Sequence, residues 1–258
     1  MEMSEEQLRG RIRELAPFHH AVELPHGLNT HLPEMAHRDV ERTRVDSLMR
    51  HGWPQLLQAC GGSFRGRRVL DIACNSGGFS VEAVKAGADY VLGIDIVDRY
   101  LEQAQFIKQA LDYDNLEFRK IDVFDLTPEI TGGPFDVVLC FGILYHLEDP
   151  IRGMKAMANM ATHAVLVDSN LMRPRYGSRF FRDRPLWRME VVGVGKKTNE
   201  TTNLWRQGLS CQFSPTERAV LDLLGFLGFE HSQFLPPTES NLEPRYYKRS
   251  RGTFLGVR

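Results

Sequence analysis

"VLDIACNSGGFS", residues 69–80, has the shape of a buried strand that turns sharply into a helix. A dinucleotide-binding loop spaces three glycines as G-x-G-x-x-G so that backbone amides can close on a pyrophosphate at a helix N-terminus. The equivalent positions here are Ala73, Asn75 and Gly78. Two side chains therefore intrude where phosphates would sit, and a pyridine-nucleotide dehydrogenase is disfavoured.

A cofactor without phosphates asks less of the loop: a tight turn and an acid to face an ammonium group. S-adenosylmethionine meets that description. Asn75 tolerates the left-handed backbone better than most non-glycine residues, and Gly77 and Gly78 are expected to leave room for a methionine moiety. Asp71, at the strand end, is placed to meet its amino group. The next strand, "VLGID", ends in Asp95, twenty-four residues after Asp71, where an acid can hold both ribose hydroxyls. The third ends in "KIDVFDL". There Asp122 is expected to accept from the adenine amino group and the Val123 N–H to donate to the ring. Ala73, Ile96 and Phe141 complete the candidate cofactor contacts. An aspartate at a strand end is also a common cap or turn residue, which accounts for each acid singly but not for three in order.

Outward from this loop, β-rich runs alternate with helical ones, the signature of a parallel sheet wrapped by helices. Strands are expected at 68–73, 90–95, 116–122, 135–142 and 164–169, with helices at 79–87, 99–111 and 150–161. Right-handed crossovers then gather the loops at the carboxyl ends of the strands, where ligands bind. In "SPTERAVLDLLGFLGF", Ser214, Pro215 and Glu217 read as an N-cap, first helical residue and capping box. "FEHSQFL" (229–235) and "GTFLGV" (252–257) read as a final strand pair. A helix and two strands closing a parallel sheet predict a Rossmann-like, seven-stranded α/β fold whose last strand runs antiparallel.

Two segments stand outside that rhythm. Residues 1–60 read as an N-terminal extension: a charged helix at about 4–15, a loop, and a second helix from about Arg38 toward Cys60. The extension would form a lid over the site or simply cover the sheet. Residues 171–211 lack a clear period and read as a substrate-covering insertion within a 61–258 catalytic domain. "LMRPRYGSRFFRDRPLWR" (171–188) carries six arginines against one aspartate. Arg173, Arg175, Trp187 and Trp205 are its candidate substrate contacts. Basic residues interleaved with aromatics also suit RNA, and a solvated surface over an aromatic cluster is the plainer reading.

The whole chain has 258 residues and a formal net charge of −1, so it exerts no global pull on nucleic acid or membrane. Cys60, Cys74, Cys140 and Cys211 form no CxxC pair, which suits reduced thiols in the cytoplasm. No leader peptide is evident, and no apolar run approaches the ~20 residues of a membrane span.

"VLDIACNSGGFS", "VLGIDIVDRYLEQAQF", "FDVVLCFGILYHLEDP" and "FHHAVELPHG" together resemble class I S-adenosylmethionine-dependent methyltransferases. They are most similar to the subgroup that methylates or carboxymethylates tRNA wobble uridine (5-oxyacetic acid). The resemblance covers about residues 17–170. It implies adenosyl contacts at Asp71, Asp95, Asp122 and Val123 and a reaction centre near Tyr145 and His146. Ala73 departs from the glycine usual in the family. The lysine with which carboxymethylating members hold a carboxylated cofactor is absent from "ELPHGLNTHL", although Tyr145 and Arg251 fall near the rest of that clamp. Ordinary S-adenosylmethionine is therefore expected.

Methyl transfer is an in-line displacement that needs a positioned nucleophile and, for a hydroxyl or ammonium, a base. His146, just past the fourth strand, is the candidate base, with packing or capping of the following helix as its alternative. Tyr145 is a candidate to line the pocket or donate to substrate, and His20 and Arg251 join it as candidate substrate contacts. The upstream histidines match no ligand spacing and "FGILYH" offers no acid, so no catalytic metal is expected. A small-molecule acceptor, methylated at oxygen or nitrogen, is the expected substrate. A tRNA uridine or a non-catalytic adenosyl-binding role are the rivals.

Overall fold

A computed structural model describes residues 3–34, 47–172, 184–194, 209–237 and 244–258. The parallel strands are β1 (Arg68–Ile72), β2 (Tyr90–Asp95), β3 (Leu116–Lys120), β4 (Phe135–Phe141) and β5 (Ala161–Asn170). Two later strands, β8 (His231–Leu235) and β9 (Arg251–Val257), complete a seven-stranded sheet in the order β3-β2-β1-β4-β5-β9-β8. β9 runs antiparallel to both β5 and β8. The order reverses between β1 and β4, so a crevice opens at their carboxyl ends. The central strands are apolar on both faces, as burial under helices requires; Val69, Leu70, Val137 and Val138 are wholly buried.

Helices α3 (Gly78–Lys85), α4 (Asp98–Leu111) and α6 (Pro150–Met160) follow β1, β2 and β4, and α5 (Pro128–Thr131) is a single turn before β4. Local sequence sets their ends. Asp149 caps α6 by accepting the Arg152 N–H, with Pro150 at the first helical position.

The N-terminal segment is built into the core. Ser4 and Gln7 form a capping box at α1 (Glu5–Leu15), and Leu8, Ile12 and Leu15 are buried on its inner face. They join one apolar cluster with Phe18, Val22 and Leu28 and with Val69 and Val91 of the sheet. α2 (Trp53–Ala59) continues directly from a wider turn at Leu48–Gly52. The start proposed for that helix, at Arg38, lies outside the described residues.

The insertion has structure that its sequence did not announce. β6 (Trp187–Val194) and β7 (Leu209–Pro215) form a separate antiparallel pair. This pair overturns the expected capping box, because Ser214 and Pro215 are drawn into the ladder opposite Arg188 and Trp187. Helix α7 (Glu217–Phe226) begins later, and Thr216 caps it by accepting the Ala219 N–H. The short α8 (Pro244–Tyr247) precedes β9.

Candidate active site

A cavity of about 400 Å³ lies at the carboxyl ends of β1 to β4. Its floor includes Asp71, Ala73, Asn75, Asp95, Asp122 and Val123. The three strand-end acids predicted from sequence therefore face one space. Ile96 and Phe141 also line it, as expected, and His20 and His146 stand on its wall.

Asp71 is almost wholly buried and accepts a 2.6 Å hydrogen bond from the Ser80 hydroxyl. Burial pushes its carboxyl up to about 7; the Ser80 bond opposes this and the nearby Asp95 charge adds to it. Asp95 is also buried, and its carboxyl is raised for the same reason. Three amides oppose that rise. Asn75 N–H donates to one oxygen at 2.9 Å, and Ile96 and Val97 N–H donate to the other at 2.8 and 3.0 Å. Asp122 combines the two readings made of it. One oxygen accepts the Phe124 N–H at 2.9 Å, capping the turn Val123–Asp125, while the residue still lines the cavity.

The loop after β1 is left-handed at Ala73 (φ 57°), Asn75 (φ 53°) and Gly77 (φ 79°). Asn75 behaves as expected. Ala73 does not merely add a methyl group; it holds a backbone region that L side chains disfavour by about 1–2 kcal/mol. Ala73→Gly should accordingly raise unfolding free energy by about 1 kcal/mol in a denaturant titration.

The expected room at Gly77 and Gly78 is taken by the protein itself. A Cβ on Gly77 would lie 2.5 Å from the Phe118 ring, and one on Gly78 would lie 2.6 Å from His20. Gly77 does not line the cavity. Its absent side chain admits Phe118 rather than a ligand.

His146 ends a single turn, Leu144–His146, after β4. Its ring packs against Tyr145 with centroids 4.2 Å apart. Asp149, rather than His146, is the N-cap of α6. Tyr145 itself turns away from the cavity. It is buried, with the Arg251 guanidinium 5.8 Å from its ring centroid.

Arg251 is the largest wholly buried side chain among the described residues. It pairs with Asp168 and donates to Asn170 at 3.2 Å. Asp168 also accepts from Tyr246 at 2.8 Å and Thr253 at 3.1 Å. Arg251 and Tyr145, expected to touch substrate, do not line this cavity, and the arginine's charge is met inside the protein.

Trp187 pairs with Pro215 at the start of β6 and packs on the core rather than on the cavity. Arg173, Arg175 and Trp205 lie outside the described residues.

The cavity also includes His19, Phe79, Tyr100 and Ile143, which sequence reasoning did not select. Tyr100 was within reach of it, since it sits in the first turn of α4 just beyond the Asp95 loop. Phe79 was masked by its apolar character; its ring meets Phe141 at 4.6 Å. Among the described residues no group of three or more His, Cys, Asp or Glu is arranged to hold a metal ion, and no helix is long and apolar enough to cross a membrane.

Known proteins align with this geometry. Residues 63–171 match the family model for a methyltransferase domain. The ubiquinone biosynthesis O-methyltransferase of Bordetella avium is 37% identical over 104 residues, 40% of this chain and 41% of that protein. The chain spans about two fifths of the length of the curated relatives it matches. A solved N-terminal domain of EvdMO1, with SAH and D-fucose present, superposes with a TM-score of 0.67 at 19% identity, covering 99% of this chain and 97% of that one. Magnesium protoporphyrin IX methyltransferase (ChlM) from Synechocystis PCC 6803, with bound SAH, gives 0.56 at 19% identity over 87% and 90% of the two chains. These likenesses identify the fold. The chain has the class I methyltransferase fold, and its family match is a methyltransferase domain over residues 63–171.

Proposed function

We propose that this chain transfers a methyl group from S-adenosylmethionine to a small-molecule acceptor, at oxygen. The observation that carries the reading is the convergence of Asp71, Asp95 and Asp122 on one cavity. Two buried acids whose carboxyls are raised by burial call for a ligand that brings a cation and hydroxyl donors. A pyrophosphate would meet the opposite charge. The cofactor supplies an electrophilic methyl group on a sulfonium. In this reading Asp71 binds its amino group, Asp95 the ribose hydroxyls, and Asp122 with the Val123 N–H the adenine. Ala73, Asn75, Ile96 and Phe141 shape the walls. His146 takes the acceptor's proton, and residues 1–60 form the lid side of a catalytic domain spanning 61–258.

Oxygen is favoured because the curated relative named above is an O-methyltransferase. The wobble-uridine subgroup is the finer alternative. It leans on the arginine-rich insertion, much of which lies outside the described residues. The cavity, walled by Phe79, Phe141 and Ile143, suits a small apolar acceptor better. A cytoplasmic setting is part of the proposal; the four cysteines are free and buried.

Calorimetry tests the reading first: S-adenosylhomocysteine should bind and NAD should not. Transfer of labelled methyl groups to extracted metabolites, set against strongly salt-dependent transfer to tRNA, then separates the acceptors. If NAD binds in place of S-adenosylhomocysteine, the reading fails.

Asp71 gives this reading a pH dependence. In the free protein its carboxyl titrates at about 7 against a reference of 3.8. A raised carboxyl favours the ligand-free fold while protonated, and that contribution is lost as pH rises from 3.8 toward about 7. An ammonium ligand needs the carboxylate, so affinity runs the other way. Between pH 7 and pH 5.5 the affinity for S-adenosylhomocysteine should fall roughly fifteenfold in all, with proton release on binding. Asp71→Asn should bind weakly with a much flatter profile, as calorimetry across that range would read.

A further inference from the structure

The first amide of α3, Gly78 N–H, is what a helix beginning at this loop would offer to a ligand. In this chain an upstream side chain takes it. Gly78 N–H donates to His20 Nδ1 at 3.0 Å, and the His20 N–H donates to Ser76 Oγ at 3.3 Å. The imidazole also packs edge-on against Phe79, with centroids 5.3 Å apart.

The segment that carries His20 is braced on both sides. Gln103 of α4 donates to the Leu15 and Pro17 carbonyls at 2.6 and 3.0 Å. Arg99 donates to the Ala16 carbonyl at 2.6 Å. Thr30 Oγ1 donates to the His20 carbonyl at 2.7 Å and accepts the Val22 N–H at 2.9 Å. Residues 15–20 thus run as a strap from α4 to the loop between β1 and α3.

That loop holds left-handed Ala73, Asn75 and Gly77 within five residues. Such a conformation persists only where its surroundings over-determine it. Asp95 clamps it from the β2 side through the Asn75 N–H. Resting on the cofactor reading above, we propose that His20 is the second clamp: a positioning residue that holds the cofactor loop through Nδ1.

The two ring nitrogens make the idea testable. Asparagine presents an acceptor near the position of Nδ1, whereas glutamine reaches toward that of Nε2. His20→Ala and His20→Gln should bind S-adenosylhomocysteine about tenfold more weakly, since a buried amide loses its acceptor. His20→Asn should stay within about threefold of the parent. Amide exchange at Gly78 in the ligand-free protein should speed up in the alanine and glutamine variants and not in the asparagine one.

The proposal is overturned if His20→Ala keeps both affinity and Gly78 protection, or if glutamine substitutes for histidine where asparagine fails. The second result would make Nε2, facing a ligand, the working atom. If the parent protein binds no S-adenosylhomocysteine, the cofactor reading fails while Gly78 exchange still judges the clamp. Should His20→Ala not fold, Ser76→Ala removes the companion tie. Affinity and Gly78 protection then fall together if the strap holds the loop, and both stay if it does not.

Discussion

His146→Ala should lower kcat about a hundredfold or more, the usual contribution of a positioned general base, with S-adenosylhomocysteine affinity kept within about twofold. On the proposed reading this imidazole takes the acceptor's proton. It lines the cavity beside Phe141 and Gly142 at the carboxyl end of β4. The helix that follows is capped by Asp149, which accepts the Arg152 N–H. Its backbone is fixed by a 2.7 Å bond from its N–H to the Ile143 carbonyl, and its ring by the neighbouring Tyr145. Tyr145 is in turn seated on the buried Arg251–Asp168 pair. On the proposed reading the base thus stands on a rigid support, as effective proton abstraction requires. In the parent protein the rate should rise with pH wherever proton transfer limits it, and the variant should lose that dependence. Steady-state rates with an identified acceptor check both. Full turnover in the variant would assign His146 to packing and leave the acceptor to lose its proton to water.

The sheet was legible because burial on both faces writes strands as short apolar runs, and β1, β2 and β4 are such runs. The acids were legible for a related reason. A charged residue closing an apolar strand marks where the strand reaches the ligand face, and Asp71 and Asp95 do so. Orientation at the strand ends was not legible. Tyr145 and His146 are neighbours in a three-residue turn, where successive side chains point about 120° apart. One faces the cavity and the other Arg251, and spacing cannot say which. The burial of Arg251 was not legible for want of register: only pairing of β9 with β5 sets it opposite Asn170 and beside Asp168. The contact between His20 and Gly78 spans 58 positions, beyond any local pattern. The β6–β7 pair was hidden because it does not show the alternation of a half-buried strand; Met189 and Val191 are exposed on one strand while Glu190 between them is only half-buried.

Asp95→Ala carries the heaviest consequence for the cofactor. The carboxylate is 7% exposed and accepts three amides, so its removal strips acceptors from Asn75, Ile96 and Val97 together. An amide left buried without a partner costs about 1–3 kcal/mol. The effect on the ligand-free fold should still be modest, because burying this acid is itself unfavourable, as its raised carboxyl records. Binding has no such offset. On the proposed reading the variant loses the acceptor for the ribose hydroxyls and, through Asn75, the β2-side clamp on a loop with three left-handed residues. S-adenosylhomocysteine affinity should therefore fall by about a hundredfold or more, roughly 2.7 kcal/mol. Asp95→Asn keeps an acceptor without the charge and should fall about tenfold. Calorimetry on the three proteins orders them, and melting temperatures separate lost binding from lost fold. Equal affinity in parent and alanine variant would mean that the ribose is held elsewhere, and with it the reading of three acids around one nucleoside would go.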